Sequence, residues 1–179
     1  FRDRNASWFG KAAEDLGMAG QVEDGAFINL LGGMCPEGRH LLVRPGGPSR
    51  TRIAGFDLTF SAPKSCTLVS LIDGRVVDAH SGAVKKALTF AEARYTQARA
   101  MSDGKQVEVP TGNLAAALFV HMTSRALDPQ LHTHAFVLNI TRRPGDSQWR
   151  ALHRGRQITT AKGKTAVHSN PFYAHHLLL

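Results

Sequence analysis

Two apolar runs, residues 114–120 and 131–140, bracket the segment that most limits how this chain can fold. The first run ends at His121. The second opens as Leu131-His132-Thr133-His134, just after an Asp128-Pro129 turn signal. Both runs read as strands. In a strand, side chains two apart point to the same face, so His132 and His134 present two imidazoles side by side. If the runs pair as neighbours, His121 joins them. Three neutral imidazoles are a common ligand set for a divalent metal with an open position. A lone histidine is more often a satisfied core or surface residue, and it is the combination of three that points to a metal. A structural zinc site fits less well, because such sites are closed by four ligands, mostly cysteines, and Cys35 and Cys66 lie far away in sequence.

The other elements suggest where these strands belong. Residues 55–60 alternate, with Phe56, Leu58 and Phe60 on one face and Asp57 and Thr59 on the other. Apolar residues at Trp8, Phe9, Ala12, Ala13 and Leu16 predict a helix over residues 8–17, with Gly17 as its C-cap. A second helix is predicted over residues 24–31, ended by Gly32-Gly33. Residues 35–52, rich in proline and arginine, read as a basic loop. Ser61 and Pro63 are start signals for a helix running through residues 66–72. Val84, Leu88, Ala91, Tyr95 and Ala98 recur at helical steps and predict one long amphipathic helix over residues 77–101. Asp103-Gly104 marks a turn before a short strand at 107–109, and residues 142–146 mark another before a strand at 148–152. The tail reads as polar over 154–164 and as the start of a helix from Pro171. Strands with a long helix between them define an α+β domain: a central antiparallel sheet with helices on one face.

Charge narrows the partner. The chain has 179 residues, enough for one domain spanning 1–179, and a net charge of +8 with a pI near 10.1. That excess favours a polyanion, nucleic acid first and an anionic membrane second. No apolar run approaches the roughly 20 residues needed to cross a bilayer, so no membrane insertion is expected. There is no signal-peptide pattern, and two cysteines suit a reducing compartment, the cytoplasm. Lys64 and Arg125 are placed to meet DNA phosphates, one near a helix start and one between the histidines. Arg142, Arg143, Arg150, Arg154 and Arg156 offer a track for a nucleic-acid strand. For each of these an ordinary solvated charge is the alternative. Trp149 can stack on bases, whereas Phe136 suits the core. A metal on three imidazoles would polarise a phosphoryl oxygen, and the ion, magnesium, manganese or zinc, is not legible in the residues. Metal-bound histidines pass their second N–H to a carboxylate or carbonyl. Asp57 is the candidate carboxylate, against the alternative of a solvated strand residue.

The stretches Gly55-Phe-Asp-Leu-Thr-Phe-Ser-Ala-Pro-Lys-Ser65, Thr111-Gly-Asn113 and His121-x-Thr-Ser-Arg-x-x-Asp-Pro-Gln-Leu-His-Thr-His134 together resemble the TrwC/TraI-type conjugative relaxases, the three-histidine branch of the HUH endonucleases. The resemblance runs from about Trp8 to Leu152. It implies a sheet-and-helix domain that closes over single-stranded DNA and nicks one strand at a plasmid's origin of transfer. In such enzymes a tyrosine attacks the scissile phosphate and is joined to the 5′ end, while a metal on three histidines holds the phosphate. His121, His132 and His134 match the ligands, and Asp57 matches the acidic residue that assists a histidine or the tyrosine. Relaxosome accessory proteins and the coupling protein of a type IV secretion system are implied partners, with export to a recipient cell attached to DNA. Thr133, between the paired histidines, is what this branch shows. The family's nucleophilic tyrosines precede the segment resembling Arg4-Asn-Ala-Ser-Trp8. Tyr95 and Tyr173 match neither, so the chain is expected to lack its N-terminal tyrosine segment and to have an uncertain C-terminal end.

Three other readings compete. A cupin-type metalloenzyme would add a glutamate shortly after the paired histidines, and residues 135–141 hold no acidic side chain. A non-catalytic single-stranded DNA-binding fragment would need no tyrosine. A rolling-circle replication initiator shares the chemistry, but the long Asp57 motif fits the conjugative branch better.

Overall fold

The computed structural model describes residues 6–43 and 52–153, and the backbone of Gln157–Thr159 and Thr165–Val167. The elements are β1 (Ser7–Phe9), α1 (Lys11–Asp15), α2 (Asp24–Leu31), β2 (Gly55–Ser61), α3 (Lys64–Ser70), α4 (Arg75–Tyr95), β3 (Gln97–Ser102), β4 (Lys105–Pro110), β5 (Ala116–Thr123), β6 (Pro129–Leu138), β7 (Thr141–Arg142), β8 (Trp149–Arg150) and the pair β9 and β10 at 157–159 and 165–167. The central sheet is antiparallel with strand order β1-β5-β6-β2. The pairs β3–β4, β7–β8 and β9–β10 form separate two-stranded ribbons.

The alternation of the sequence sets the two faces. On one, Phe56, Leu118, Ala135 and Val137 pack with Val84 and Leu88 of α4. On the other, Trp8, Ala117, Phe119 and Leu138 pack with Leu30 and Phe27 of α2. Leu88, Leu131 and Leu138 are fully buried, each stabilising the fold by roughly 1.5–3 kcal/mol relative to exposure. Helices therefore cover both faces. The expected single helical face describes α3 and α4 only. Helix α2 lies on the opposite face, where Phe27 makes edge contacts with Phe119 and Phe136 at centroid distances of 5.8 and 5.7 Å.

Several local signals held. Helix α2 ends in paired hydrogen bonds from Gly33 N–H to the Leu30 carbonyl and from Met34 N–H to the Asn29 carbonyl, with Gly33 at φ +80°. This 6→1 and 5→2 pattern is the Schellman stop that a Gly-Gly pair encodes. Asp103 and Gly104, both at positive φ, close β3 onto β4 as a two-residue turn. Gly17 follows α1 at φ +72°. Thr111-Gly-Asn113 works as a clamp: Asn113 Oδ1 accepts hydrogen bonds from Arg142 N–H and Thr141 Oγ1 at 3.0 and 2.9 Å, fastening β7 to the start of β5.

Three predictions are corrected. The helix over 8–17 is a strand followed by one helical turn, because Trp8 pairs with Ala117 in the sheet and Gly10 turns the chain at φ +102°. A Cβ on Gly10 would sit 2.2 Å from the Leu114 carbonyl oxygen. The long helix stops at Tyr95, and Ala98 is buried in β3 instead. Ser61 ends β2, and Pro63 is the residue that caps α3. The readings of residues 154–156 and of the helix from Pro171 lie outside the described residues.

Candidate metal centre

Register brings the three histidines together. His121 of β5 stands opposite His132 of β6, and His134 lies two residues further along the same face. The ring centroids are 5.1–5.4 Å apart, and one ligand nitrogen from each lies within 4.8 Å of the others. Ligands around a tetrahedral ion with metal–nitrogen distances of about 2.1 Å stand roughly 3.4 Å apart, so small rotations of the rings are enough to converge on one ion.

The partners of the rings argue the same way. His134 Nδ1 is 2.8 Å from Asp57 Oδ2 and 3.2 Å from Thr59 Oγ1. His132 Nδ1 is 2.9 Å from the Gln130 carbonyl oxygen. In His132 and His134 the carbonyl or carboxylate accepts a hydrogen bond from Nδ1–H, which leaves the Nε2 lone pair of these two rings to bind a cation. Asp57 reaches this position because β2 sets it beside Phe136, one strand over and two residues from His134. Its other oxygen, Oδ1, is buried without a hydrogen-bond partner among the described residues. An unmatched carboxylate oxygen next to three imidazoles favours positive charge in the site. The residues present therefore fit a divalent metal.

The histidines open onto a cleft of about 830 Å³, walled by Phe27, Leu31, Phe119, Met122 and Phe136 on its apolar side and by Ser124 and Arg125 at its polar end. Arg125 is exposed, on the turn between β5 and β6. Lys64 opens α3, where the sequence placed it, and its Nζ donates a hydrogen bond to the Pro129 carbonyl at 2.7 Å, tying α3 to the start of β6. Arg150 is also engaged. It pairs with Asp146 at 3.1 Å, as does Arg143 at 2.9 Å. The Gln148 backbone N–H and these two guanidinium groups hold the Asp146 carboxyl well below the ordinary carboxylate range. Arg142 lies over the Trp149 ring at 5.0 Å and pairs with Asp15. This arginine cluster sits beyond the Leu138 end of β6, away from the histidine end. Phe136 belongs to the core, as its apolar neighbours suggest, and also forms cleft wall.

Sequence reasoning missed Thr59, Gln130 and the α2 side of the cleft. Thr59 was legible, since it shares the polar face of β2 with Asp57. Nothing in the sequence places Phe27 or Leu31 beside the histidines, because α2 reaches them only through tertiary packing.

A four-stranded antiparallel sheet carrying a histidine from one central strand and a His-x-His from the next, with a carboxylate on the neighbouring edge strand, defines a relaxase-type domain. The chain belongs to the TrwC relaxase family, whose pattern it matches over residues 2–177. It is 46% identical over 147 residues to the multifunctional conjugation protein TraI of Escherichia coli K12, covering 81% of this chain and 8% of that protein. Among solved structures it resembles conjugative relaxase TrwC in complex with mutant OriT DNA, with a TM-score of 0.76, 46% identity and coverage of 83% of this chain and 53% of that one. It also resembles a metal-bound structure of TrwC with OriT DNA, with a TM-score of 0.77, 36% identity and coverage of 93% and 66%. The chain thus spans under a tenth of its curated relative and about half to two thirds of the solved relaxases.

Proposed function

We propose that this domain is a DNA strand transferase that nicks single-stranded origin-of-transfer DNA in plasmid conjugation. The observation that carries the reading is the convergence of His121, His132 and His134, with Asp57 on His134, at the floor of an open cleft in a basic protein. When bound, a divalent metal would neutralise charge on the non-bridging oxygens of a phosphodiester. The chain's own residues do the rest. Asp57 fixes the tautomer and aim of His134, and the Gln130 carbonyl does the same for His132. Arg125 supplies a positive charge at the cleft rim for an adjacent phosphate, and Lys64 and Arg150 add charge further along the surface. The aromatic wall suits unstacked bases.

The attacking hydroxyl comes from a tyrosine other than Tyr95. Tyr95 packs edge-on against Phe90, at a centroid distance of 5.9 Å, and against the core that Val84 and Leu88 of α4 share with the sheet. In-line attack needs the phenolate at the phosphate, and Tyr95 does not line the cleft. Relaxosome accessory proteins, the coupling protein of a type IV secretion system and a cytoplasmic donor setting are what this reading implies. Among the described residues no helix is long and apolar enough to cross a membrane. The test is a gel assay for protein–oligonucleotide adducts with divalent metal present. We expect the chain to bind single-stranded DNA, and Tyr95→Phe to leave both binding and adduct formation unchanged. An adduct that disappears on Tyr95→Phe would overturn the assignment of the nucleophile, and a lack of single-strand binding would overturn the reading as a whole.

A further inference from the structure

The face of β6 turned away from the histidines holds a polar pair that the proposed reaction does not use. Thr133 stands between His132 and His134 in sequence and points to the opposite side of the sheet. It is 1% exposed. A hydroxyl so buried must find a hydrogen-bond partner or be costly to hold. Its partner is His80 on α4, whose Nε2 lies 3.0 Å from Thr133 Oγ1. His80 lines a groove between α4 and β2 together with Thr59, Ser61 and Cys66. Burial, and then the neighbouring His132, lower the pKa of His80, so its imidazole is neutral near pH 7.

The surrounding contact is apolar. Val84 and Leu88 of α4 share a core cluster with Ala135 and Val137 of β6. Apolar packing of this kind is non-directional and permits small rotations of the strand. The hydrogen bond from α4 supplies the missing direction. Because successive side chains of a strand point to opposite faces, whatever fixes the tilt of Thr133 also fixes the aim of the residues on either side. Those residues are two of the three converging imidazoles.

We infer that His80 is a positioning residue of the histidine centre: through the Thr133 hydroxyl it holds β6 at the pitch that aims His132 and His134 at one ion. The inference rests on the metal reading above, and the experiment separates the two. Binding of Co²⁺ is followed by titration and by its visible absorption spectrum, at a temperature well below each variant's melting transition. The variants are His80→Ala, His80→Gln, Thr133→Val and the double change His80→Ala/Thr133→Val. Wild type takes up one equivalent with a low-symmetry, intense spectrum, and failure of that step overturns the metal reading itself. His80→Ala and Thr133→Val each raise the Kd about tenfold, the size expected when a partner one layer behind a metal ligand is lost. Each also weakens or shifts the cobalt bands. The double variant binds no worse than the worse single, since both changes cut the same link. His80→Gln, which offers a nitrogen near the position of Nε2, recovers most of the affinity. If His80→Ala does not fold, Thr133→Val and His80→Gln decide the matter. The inference is overturned by unchanged Co²⁺ affinity and spectrum in Thr133→Val, by additive losses in the double variant, or by variants that lower only the melting temperature.

Discussion

The two faces of β6 show how one strand can serve two purposes. Leu131, Thr133, Ala135 and Val137 point toward α4 and are all essentially inaccessible. His132, His134, Phe136 and Leu138 point the other way, and there the character changes along the strand. Leu138 is buried under α2, Phe136 forms the wall of the cleft, and the two histidines reach the open end. The first face is uniform because it has one task, packing. The second grades from core to chemistry over four side chains, so the histidines are aimed by a strand whose rear is locked. Rigidity on one side is what makes precise placement on the other possible.

Substitution on the two faces should separate stability from metal binding. The largest effect on binding is expected for His132→Ala. It should lose stoichiometric metal, read by mass spectrometry or cobalt titration, while the metal-free protein melts at nearly the wild-type temperature. Equal metal content in both proteins would break the comparison. The largest effect on stability belongs to the other face. Leu131→Ala removes a fully buried side chain and should cost about 2–5 kcal/mol in denaturant unfolding, with one metal still bound by the folded fraction.

Next in size is Asp57→Asn. An amide can still occupy the site but no longer places a negative charge on His134 Nδ1, so metal affinity should fall about 10–100-fold with little change in melting of the metal-free form. A drop in stability equal to that of Leu131→Ala would mean that Asp57 belongs to the core rather than the site.

How much of this was legible depends on whether the signal was local. The pairing of β5 with β6, the polar face of β2 and the Schellman end of α2 are encoded in short-range alternation and turn residues, and all three stood in the sequence. Helical spacing misled twice. Trp8, Phe9, Ala12, Ala13 and Leu16 fit a helix, yet Trp8 is claimed by β5, and Gly10 allows the switch from strand to helix. Ala98 continues the stripe of α4 only by coincidence of spacing. The chain leaves the helix at Thr96, whose Oγ1 bonds back to the Glu92 carbonyl at 2.5 Å. Glu92 itself is buried and accepts hydrogen bonds from the Lys11 and Leu114 backbone N–H groups at 2.8 and 3.0 Å. A long-range buried carboxylate of this kind leaves no pattern in sequence. The histidine centre was readable because its spacing is local. The pairing of Arg150 with Asp146 and of Lys64 with the Pro129 carbonyl was not, because charge alone does not reveal its partner.

That difference among the basic residues extends the comparison to the ends of the sheet. At the far end, Asp146 is held ionised by the Gln148 N–H, Arg143 and Arg150. A carboxyl whose folded pKa is depressed contributes stability that is present above its ordinary value near 3.8 and is lost as pH falls through the folded value. Wild type should therefore lose melting temperature more steeply than Asp146→Asn as pH drops below about 4. Parallel pH–melting curves would show that the cluster adds no stability.

The smallest expected effect is the most discriminating for DNA. Arg125 is exposed on the turn beside the histidines and forms no ion pair among the described residues, so its guanidinium can give up water to a phosphate. Arg150 must first release Asp146. In single-strand binding measured against salt, each neutralised phosphate contributes a slope of about −0.7 in log K against log salt. Arg125→Ala should reduce the magnitude of the slope by about that amount, a loss of one contact. Arg150→Ala should change it less, because an arginine held by Asp146 neutralises less phosphate charge and so displaces fewer counterions from the DNA. Equal losses for both would mean that the strand crosses the whole sheet and breaks the Asp146 cluster on the way. A larger loss at Arg150 would move the main DNA track from the histidine cleft to the β7–β8 ribbon.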